Sequence, residues 1–278
     1  MDELQKRELD FLNQVADQKS VGYQDKAVFN MRTGGIKAYI QAKGSTTKRS
    51  YVADRQVTVE TDEISARPAI NIVDLRAGRV NMADLIREAN REITNKKLAL
   101  VENVLHTAMQ TYSSPFYAAG TGIVKATLDA QLAYFRRLGP VTILGDQAAV
   151  AQLAGLTGME MNPGATGGNL FTERSHGMID EMNDNGYIGR YNGAAVVSLA
   201  NTYFDGTTTP VLATDWLYII PGGMSGDARN LKIVNEGGVN AFESQNIDDL
   251  VYEVRLDTWF GAGFISGNLP TIGAYKIN

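Results

Sequence analysis

The chain has 278 residues, of which 44% are hydrophobic and 21% charged, and a formal net charge of −5, which is an ordinary composition for a globular protein. The acidic balance argues against a surface built mainly to hold nucleic acid. The sequence contains no cysteine, which excludes disulfides, thiolate metal sites and cysteine nucleophiles. No apolar run approaches the roughly 18 residues that a membrane span needs.

The first element is a short amphipathic pattern over residues 2–17. Its apolar positions are Leu4, Leu9, Phe11, Leu12 and Val15, separated by charged residues, and this spacing predicts a helix. Such a helix could dock on a partner or form a frayed N-terminal arm, and the sequence leaves both readings open.

A long hairpin is predicted next, between Ile36 and Asp62. Apolar residues alternate in IKAYIQAK, and the return segment SYVADRQVTVETD places Val57, Val59 and Thr61 on one face, which is the period of a strand. The residues between them, GSTTKR (44–49), favour a turn. A two-stranded hairpin is marginally stable alone in water, so we expect this one to lie on another copy of the protein.

The segment from Asn81 to Tyr112 predicts one unusually long helix. Asn81 is a suitable N-cap, and apolar residues recur at spacings of three and four, at Met82, Leu85, Ile86, Ala89, Ile93, Leu98, Val101, Val104, Leu105 and Ala108. About 30 residues at 1.5 Å each give a helix about 45 Å long, far longer than the average globular helix.

The remainder predicts a mixed α/β segment followed by a long strand. The expected elements are a helix at Ile123–Leu138, a buried strand at Val141–Leu144, a helix capped by Asp146 and ending near Leu156, a hairpin turning at Asn192-Gly193 before a strand at Ala194–Leu199, and a strand ending at Pro221,. Beyond Leu250, apolar residues alternate as far as Phe260, which predicts the long strand.

Residues that could carry chemistry are few. The sequence has two histidines, and His106 lies on the predicted long helix with no nucleophile–base arrangement around it. Glu173, His176, Asp180 and Glu181 could together ligate a divalent cation, although one histidine among carboxylates is more typical of a solvated charged loop. The glycine-rich segments 163–169 and 186–193 lack the features of phosphate and dinucleotide sites. We therefore predict no catalytic, cofactor-binding or metal-binding residues and no enzymatic activity.

The order of these elements resembles that of tailed-bacteriophage major capsid proteins of the HK97 fold. Each part of that fold has a matching stretch, namely GGIKAYIQAKGSTTKRSYVADRQVTVETD for the extended E-loop, NMADLIREANREITNKKLALVENVLHTAM for the spine helix, ATLDAQLAYFRRLGPVTILGDQAAVAQLAGL and GYIGRYNGAAVVSLANTYFDG for the axial (A) domain, and LVYEVRLDTWFGAGF for the late strand of the peripheral (P) domain. The resemblance covers nearly all of residues 30–278.

The resemblance implies an α+β chain with four parts. These are an N-terminal arm (1–32), an E-loop hairpin (33–66), a P domain (67–128 and 240–278) with its spine helix, and an A domain (129–239) of mixed α/β structure. It also implies cross-links between subunits in some members, and Lys37, Lys43 and Lys48 lie in or near the arm, but no partner asparagine or catalytic glutamate can be matched.

The implied function is that of a major capsid protein whose hexamers and pentamers form an icosahedral phage head around double-stranded DNA. The expected partners are other copies of the chain, a portal and a scaffold protein, with no cofactor, no sequence-specific DNA contact and no membrane. The expected location is the virion, after assembly in the host cytoplasm. Two alternatives are an encapsulin-like compartment shell and, in another class, a soluble enzyme with a metal at Glu173, His176 and Asp180.

Overall fold

The computed structural model describes residues 16–33, 35, 38, 40, 43, 49–156, 183–223, 229–246, 250–265 and 270–278. Within these ranges the strands are β1 Ala16–Val21, β2 Val28–Thr33, β3 Ala53–Thr58, β4 Asp62–Ala66, β5 Ala69–Asn71, β6 Tyr117–Gly120, β7 Val141–Asp146, β8 Arg190–Tyr191, β9 Ala194–Leu199, β10 Trp216–Pro221, β11 Leu231–Asn246, β12 Val251–Phe264 and β13 Gly273–Ile277. The helices are α1 Ile72–Arg76, α2 Met82–Met109, α3 Lys125–Phe135, α4 Gln147–Ala151 and α5 Leu153–Leu156.

The long helix α2 confirms the prediction made from its apolar spacing. The side chain of Asn81 caps it by accepting a hydrogen bond of 3.1 Å from the backbone N–H of Ala83, and the helix continues for 28 residues to Met109. Its buried face follows the predicted stripe, with Ala89, Ile93, Leu98, Val101 and Leu105. Nothing in the described chain has the length and apolarity of a membrane-spanning helix.

One sheet packs directly against α2. Its strand order is β1-β11-β12-β4, and β5 also pairs with β12. Side chains of β12 alternate between two faces, and Val254 and Leu256 on one face contact Ala89 and Ile93 of the helix. The long strand predicted from its alternation beyond Leu250 is thus β12, and α2 covers one of its faces.

A second sheet lies between α2 and α3. Its order is β6-β13-β10-β7-β9-β8. Alternate residues of β10 point to opposite sides, since Trp216 and Tyr218 join a core cluster with α2 whereas Leu217 and Ile219 join one with α3 and α4. This central strand therefore holds two hydrophobic layers together.

The predicted local features of this second sheet are confirmed. The Asp146 side chain caps α4, accepting a hydrogen bond of 2.8 Å from the Ala148 N–H. Asn192 and Gly193 both have positive φ, 43° and 78°, as a tight hairpin turn of the type I′ class requires. The helix predicted to end near Leu156 is divided into α4 and α5.

Two predictions near the N-terminus need correction. Ala16 and Asp17, expected at the end of a helix, instead begin β1, which pairs in parallel with Leu231–Glu236 of β11 and gains backbone hydrogen bonds there. The hairpin pairing begins at Val28, earlier than predicted, and β4 belongs to the five-stranded sheet rather than to the hairpin. Residues 1–15, and most of the predicted strand 36–43 and turn 44–49, lie outside the described residues.

Candidate assembly surfaces

The hairpin arm is a two-stranded sheet formed by β2 and β3. The strands pair antiparallel from Val28 with Thr58 to Thr33 with Ala53, so the register is symmetric about Lys43, which lies in a turn. In the part of the chain that the structure describes, no third strand joins this sheet. Because this sheet has two strands in the described chain, each strand has one open edge. Most residues of β3 are also exposed.

The root of the arm is attached firmly to the five-stranded sheet. Phe29 is buried and packs with Val234 of β11 and Ile265, and Val57 and Val59 complete the cluster. The Nζ atoms of Lys19 and Lys232 lie 4.6 Å and 5.4 Å from the centre of the Phe29 ring, a favourable cation–π geometry. The direction in which the arm leaves the body is therefore fixed by packing.

The chain crosses β12 at two glycines after leaving β3. A Cβ atom on Gly261 would overlap the carbonyl group of Glu60 and would lie 3.2 Å from the Cα of Thr61. A Cβ atom on Gly263 would lie 3.1 Å from a methyl carbon of Val59. At Gly261 the close atoms belong to the backbone, an approach that only glycine permits, whereas at Gly263 they belong to the Val59 side chain. We call these two glycines of FGAGF the glycine seat, because the segment that follows β3 packs against them.

Hydrogen bonds hold this crossing in place. The Thr61 hydroxyl donates to the Glu236 carboxylate, and the backbone N–H of Gln24 donates to the same group at 2.7 Å. These two donors, the hydroxyl first, lower the pKa of the Glu236 carboxyl below its usual value. A carboxylate in β11 thus joins the segments that enter and leave the arm.

Two large apolar side chains farther out on the arm are uncovered. Ile40 is fully exposed and Tyr51 is 82% exposed. Burial of such side chains is favourable by roughly 25 cal/mol per Å² of apolar surface. The arm therefore presents apolar area that the described part of its own chain does not cover.

A second open surface is the edge of the distal half of β11 that faces away from β12, along residues 237–245, which we call the open ribbon edge. Strand β1 covers β11 only from Leu231 to Glu236, a bulge follows between Glu236 and Asn240, and every residue beyond it is exposed. Val239 and Phe242 are more than half exposed. No strand pairs with this edge within the described ranges, and such an edge readily accepts a strand.

Of the residues considered for chemistry, the structure describes His106 and Lys43. His106 faces inward and contacts the hydroxyl of Tyr218. Glu173, His176, Asp180, Glu181, Lys37 and Lys48 lie outside the described residues, as does the glycine-rich segment 163–169, while Lys43 lies in an exposed turn. Among the residues that the structure describes, no group of three or more histidines and carboxylates could hold a metal ion.

Sequence reasoning missed the glycine seat and the open ribbon edge. Glycines inside a strand pattern mark close backbone approach, so the two glycines of FGAGF were a usable signal for the seat. The edge gave no such signal, because its exposure depends on where β1 stops pairing.

A comparison with protein-family models gives one match. The family described as "SPbeta prophage-derived putative capsid protein YonB" matches residues 1–276. No curated protein matches the chain.

Solved structures provide a further comparison. The capsid of the native GTA particle is 10% identical, with a TM-score of 0.61 over 100% of this chain and 91% of that one. The bacteriophage PhiM1 mature capsid is 13% identical, with a TM-score of 0.60 over 96% and 87%. The structure of Gordonia phage Cozz is 11% identical, with a TM-score of 0.59 over 96% and 86%. At these identities the likeness is one of fold.

Proposed function

This chain belongs to the family of SPbeta prophage-derived capsid proteins that includes YonB and has the HK97 fold, and from that we propose how its copies build a phage head. The protein is a structural major capsid protein of the virion. Its copies associate as hexamers and pentamers that close into an icosahedral shell, and they do so without catalysis.

The observation that carries this proposal is the uncovered hairpin arm. Its two strands have open edges, its root is fixed by Phe29 and the glycine seat, and Ile40 and Tyr51 are exposed beyond the root. An arm held rigidly at one end and left uncovered at the other is suited to a neighbouring copy. Many modest contacts of this kind add up through multivalency in a closed shell.

The surface that receives the arm is the five-stranded sheet of the adjacent copy. Its open ribbon edge exposes Val239 and Phe242, and β1 does not pair with it beyond Glu236. Each copy thus offers one arm and one receiving edge at different places on its surface. Contacts of this head-to-tail type form rings when the rotation between subunits closes.

We assign to the subunit in the assembled shell the four parts that the resemblance to HK97-fold capsid proteins implies. Residues 1–32 form the N-terminal arm, 33–66 the E-loop, 67–128 and 240–278 the P domain, and 129–239 the A domain. Helix α2 and strand β12 fall in the assigned P domain, and strands β7 to β10 fall in the assigned A domain. Strand β13 of the P domain pairs with β10 of the A domain. The two domains are therefore joined by one continuous sheet and not by a flexible linker.

We assign the shell a portal, a scaffold protein and enclosed double-stranded DNA, with assembly in the host cytoplasm. The net charge of −5 is consistent with DNA that is contained rather than tightly held. Shells purified from infected or induced cells should contain DNA. Shells that instead contain one co-purifying enzyme would favour the encapsulin-like alternative.

A shortened arm tests the proposal. Joining Thr33 to Ala53 by Asn-Gly replaces the outer arm by a two-residue turn between paired residues, which suits a type I′ hairpin. We expect a folded protein with unchanged thermal stability that no longer forms shells in size-exclusion chromatography and negative-stain microscopy. Normal shells from this variant would contradict the role of the arm, and the full chain treated identically is the control.

A further inference from the structure

Strong and opposite charges lie in the two surfaces that the proposed function brings together. Residues 28–58, which contain the hairpin arm, have six basic residues and one acidic residue, a net charge of +5. Residues 236–257, which contain the open ribbon edge, have six acidic residues and one basic residue, a net charge of −5. We call the second segment the acidic ribbon. The two segments are short, and their net charges are equal and opposite.

The basic side chains of the arm are exposed in the isolated chain. Lys43 lies in the turn, Arg55 lies within β3, and Arg49 lies between them in the sequence, and all three are exposed. None of the three forms an ion pair with a residue that the structure describes. The positive charge of the arm is therefore available to a partner.

Part of the negative charge of the acidic ribbon is balanced within the subunit. Arg255 contacts the carboxylates of Glu63 and Asp257, and Arg67 pairs with Glu253. These contacts lie on β12 and toward β4, whereas the open edge belongs to β11 on the opposite side of β12. The balanced charges are therefore those farther from the open edge.

Two carboxylates of β11 have no cationic partner among the described residues. Glu236 accepts hydrogen bonds from the Thr61 hydroxyl and from the backbone N–H of Gln24. Glu243 accepts a hydrogen bond of 2.6 Å from the Tyr252 hydroxyl. All three donors are neutral, so they leave the two negative charges unbalanced. Negative charge thus remains on the strand whose edge is open.

We propose that these charges select how copies pair: the basic arm of one copy docks on the acidic ribbon of the next, and pairing of two arms or of two ribbons is suppressed. The inference rests on the proposed function, in which the arm and the open ribbon edge meet. Opposite charges steer encounter and fix register, whereas like charges opposed across strands are destabilising. Open strand edges otherwise pair with one another and aggregate. The charges thus direct each open edge away from edges of its own kind.

Apolar side chains accompany the charges on both surfaces. Ile40 and Tyr51 are exposed on the arm, and Val239 and Phe242 are exposed on the acidic ribbon. In the described chain β2 and β3 pair with no strand of the ribbon, so the match is not used within one subunit. Enclosed DNA would offer phosphates to the basic residues, but it has no strand edge for the arm to join. These observations favour a second copy over DNA as the partner of the arm.

Charge reversal on both surfaces of the full-length chain tests the proposal. The arm variant carries Arg49→Glu and Arg55→Glu, and the ribbon variant carries Glu243→Lys and Gln245→Lys, all at exposed positions. We expect each variant to form about tenfold fewer shells than the unaltered chain expressed in parallel, because steered association depends steeply on charge. The combination of all four substitutions should regain most of the shells, since opposite charges again face each other.

A matched control separates the arm from the net charge of the chain. Arg79→Glu with Arg87→Glu makes the same change in net charge as the arm variant, on side chains that are 74% and 78% exposed. Shell formation by this control should stay within about twofold of the unaltered chain, since exposed ion pairs contribute little. Thermal unfolding shows whether each variant folds, and recovery in the combined variant shows it independently.

The outcomes distinguish the inference from the proposed function. Folded arm and ribbon variants that form shells as readily as the unaltered chain, or a combined variant as defective as either, would overturn the charge selection and leave the shell function standing. Shells of the arm variant in normal number but with less DNA would assign the charge of the arm to DNA, and would also overturn it. An unaltered chain that forms no shells would contradict the proposed function and the inference together.

Discussion

The carbonyl group of Glu60 lies directly over Gly261, with no room between them for a side chain. This contact places the segment that follows β3 on the C-terminal part of β12, next to the buried cluster around Phe29. The angle of the arm is consequently determined by a contact between two backbones. Such a contact is more rigid than one between flexible side chains.

Gly261→Ala should destabilise the protein by about 1–3 kcal/mol, the usual cost of forcing extra atoms into a packed site. The clash is with backbone rather than with the end of a side chain, so local relaxation is limited. The matched control is Gly238→Ala in β11, where a Cβ meets nothing within 4 Å. Equal midpoints for the two variants in urea unfolding would argue against the glycine seat.

Lys232→Met should cost about 3 kcal/mol, because removal of one partner of a buried ion pair leaves the other charge uncompensated. Lys232 Nζ lies 2.8 Å from Asp17 Oδ2, and the lysine side chain is only 4% exposed. Adding Asp17→Asn to this variant should recover part of the loss. A double-mutant cycle measured by denaturant unfolding tests this, and strictly additive effects would show that the two residues do not interact.

Tyr218→Phe should cost about 1–3 kcal/mol, because Glu102 and His106 would both lose a partner in a buried site,. Tyr203→Phe is the control, since it makes the same chemical change on a side chain that is 62% exposed and should alter stability by less than about 0.5 kcal/mol. Thermal unfolding of the two variants in parallel measures the difference. Similar losses in both would mean that the hydroxyl of Tyr218 contributes nothing special.

The stability of the subunit should fall on acidification between pH 6.5 and about 4 through His106. Its pKa is lowered in the folded state from 6.5 to about 4, so in this window the unfolded chain binds the proton more readily and acid favours unfolding. Glu102, whose pKa is raised, acts oppositely, and its contribution is lost as the pH rises through the folded pKa. His106→Asn should therefore flatten the acid limb, and Glu102→Gln should steepen it. Urea unfolding across the pH range will show whether the slopes change in these directions.

Phe242→Lys should prevent shell formation while leaving subunit stability within about 0.5 kcal/mol, because the side chain is exposed in the isolated chain,. A lysine there would bring a charge to the receiving edge and oppose strand addition. Phe242→Tyr keeps the ring and should assemble normally. Shells are counted by negative-stain microscopy. If both variants form them equally well, the arm does not bind at the open ribbon edge.

The elements that the sequence predicted well depend on local signals. Helix α2 combines an Asn81 cap with an apolar stripe, and the Asn192-Gly193 turn needs only two residues of suitable φ. The features that it could not predict depend on distant contacts. Asp17 meets Lys232 across 215 positions of the chain, and Tyr218 meets Glu102 across 116. Periodicity cannot identify such partners, because any strand edge or buried acceptor would satisfy the same local pattern.

The placement of β13 between β6 and β10 has a consequence for synthesis on the ribosome. In the described chain β6 has β13 as its single strand partner, and these strands are separated by more than half of the polypeptide. A nascent chain therefore keeps that end of the sheet unfinished until residues 273–277 have left the exit tunnel. Pairing of β6 within this sheet therefore has to wait for the synthesis of β13.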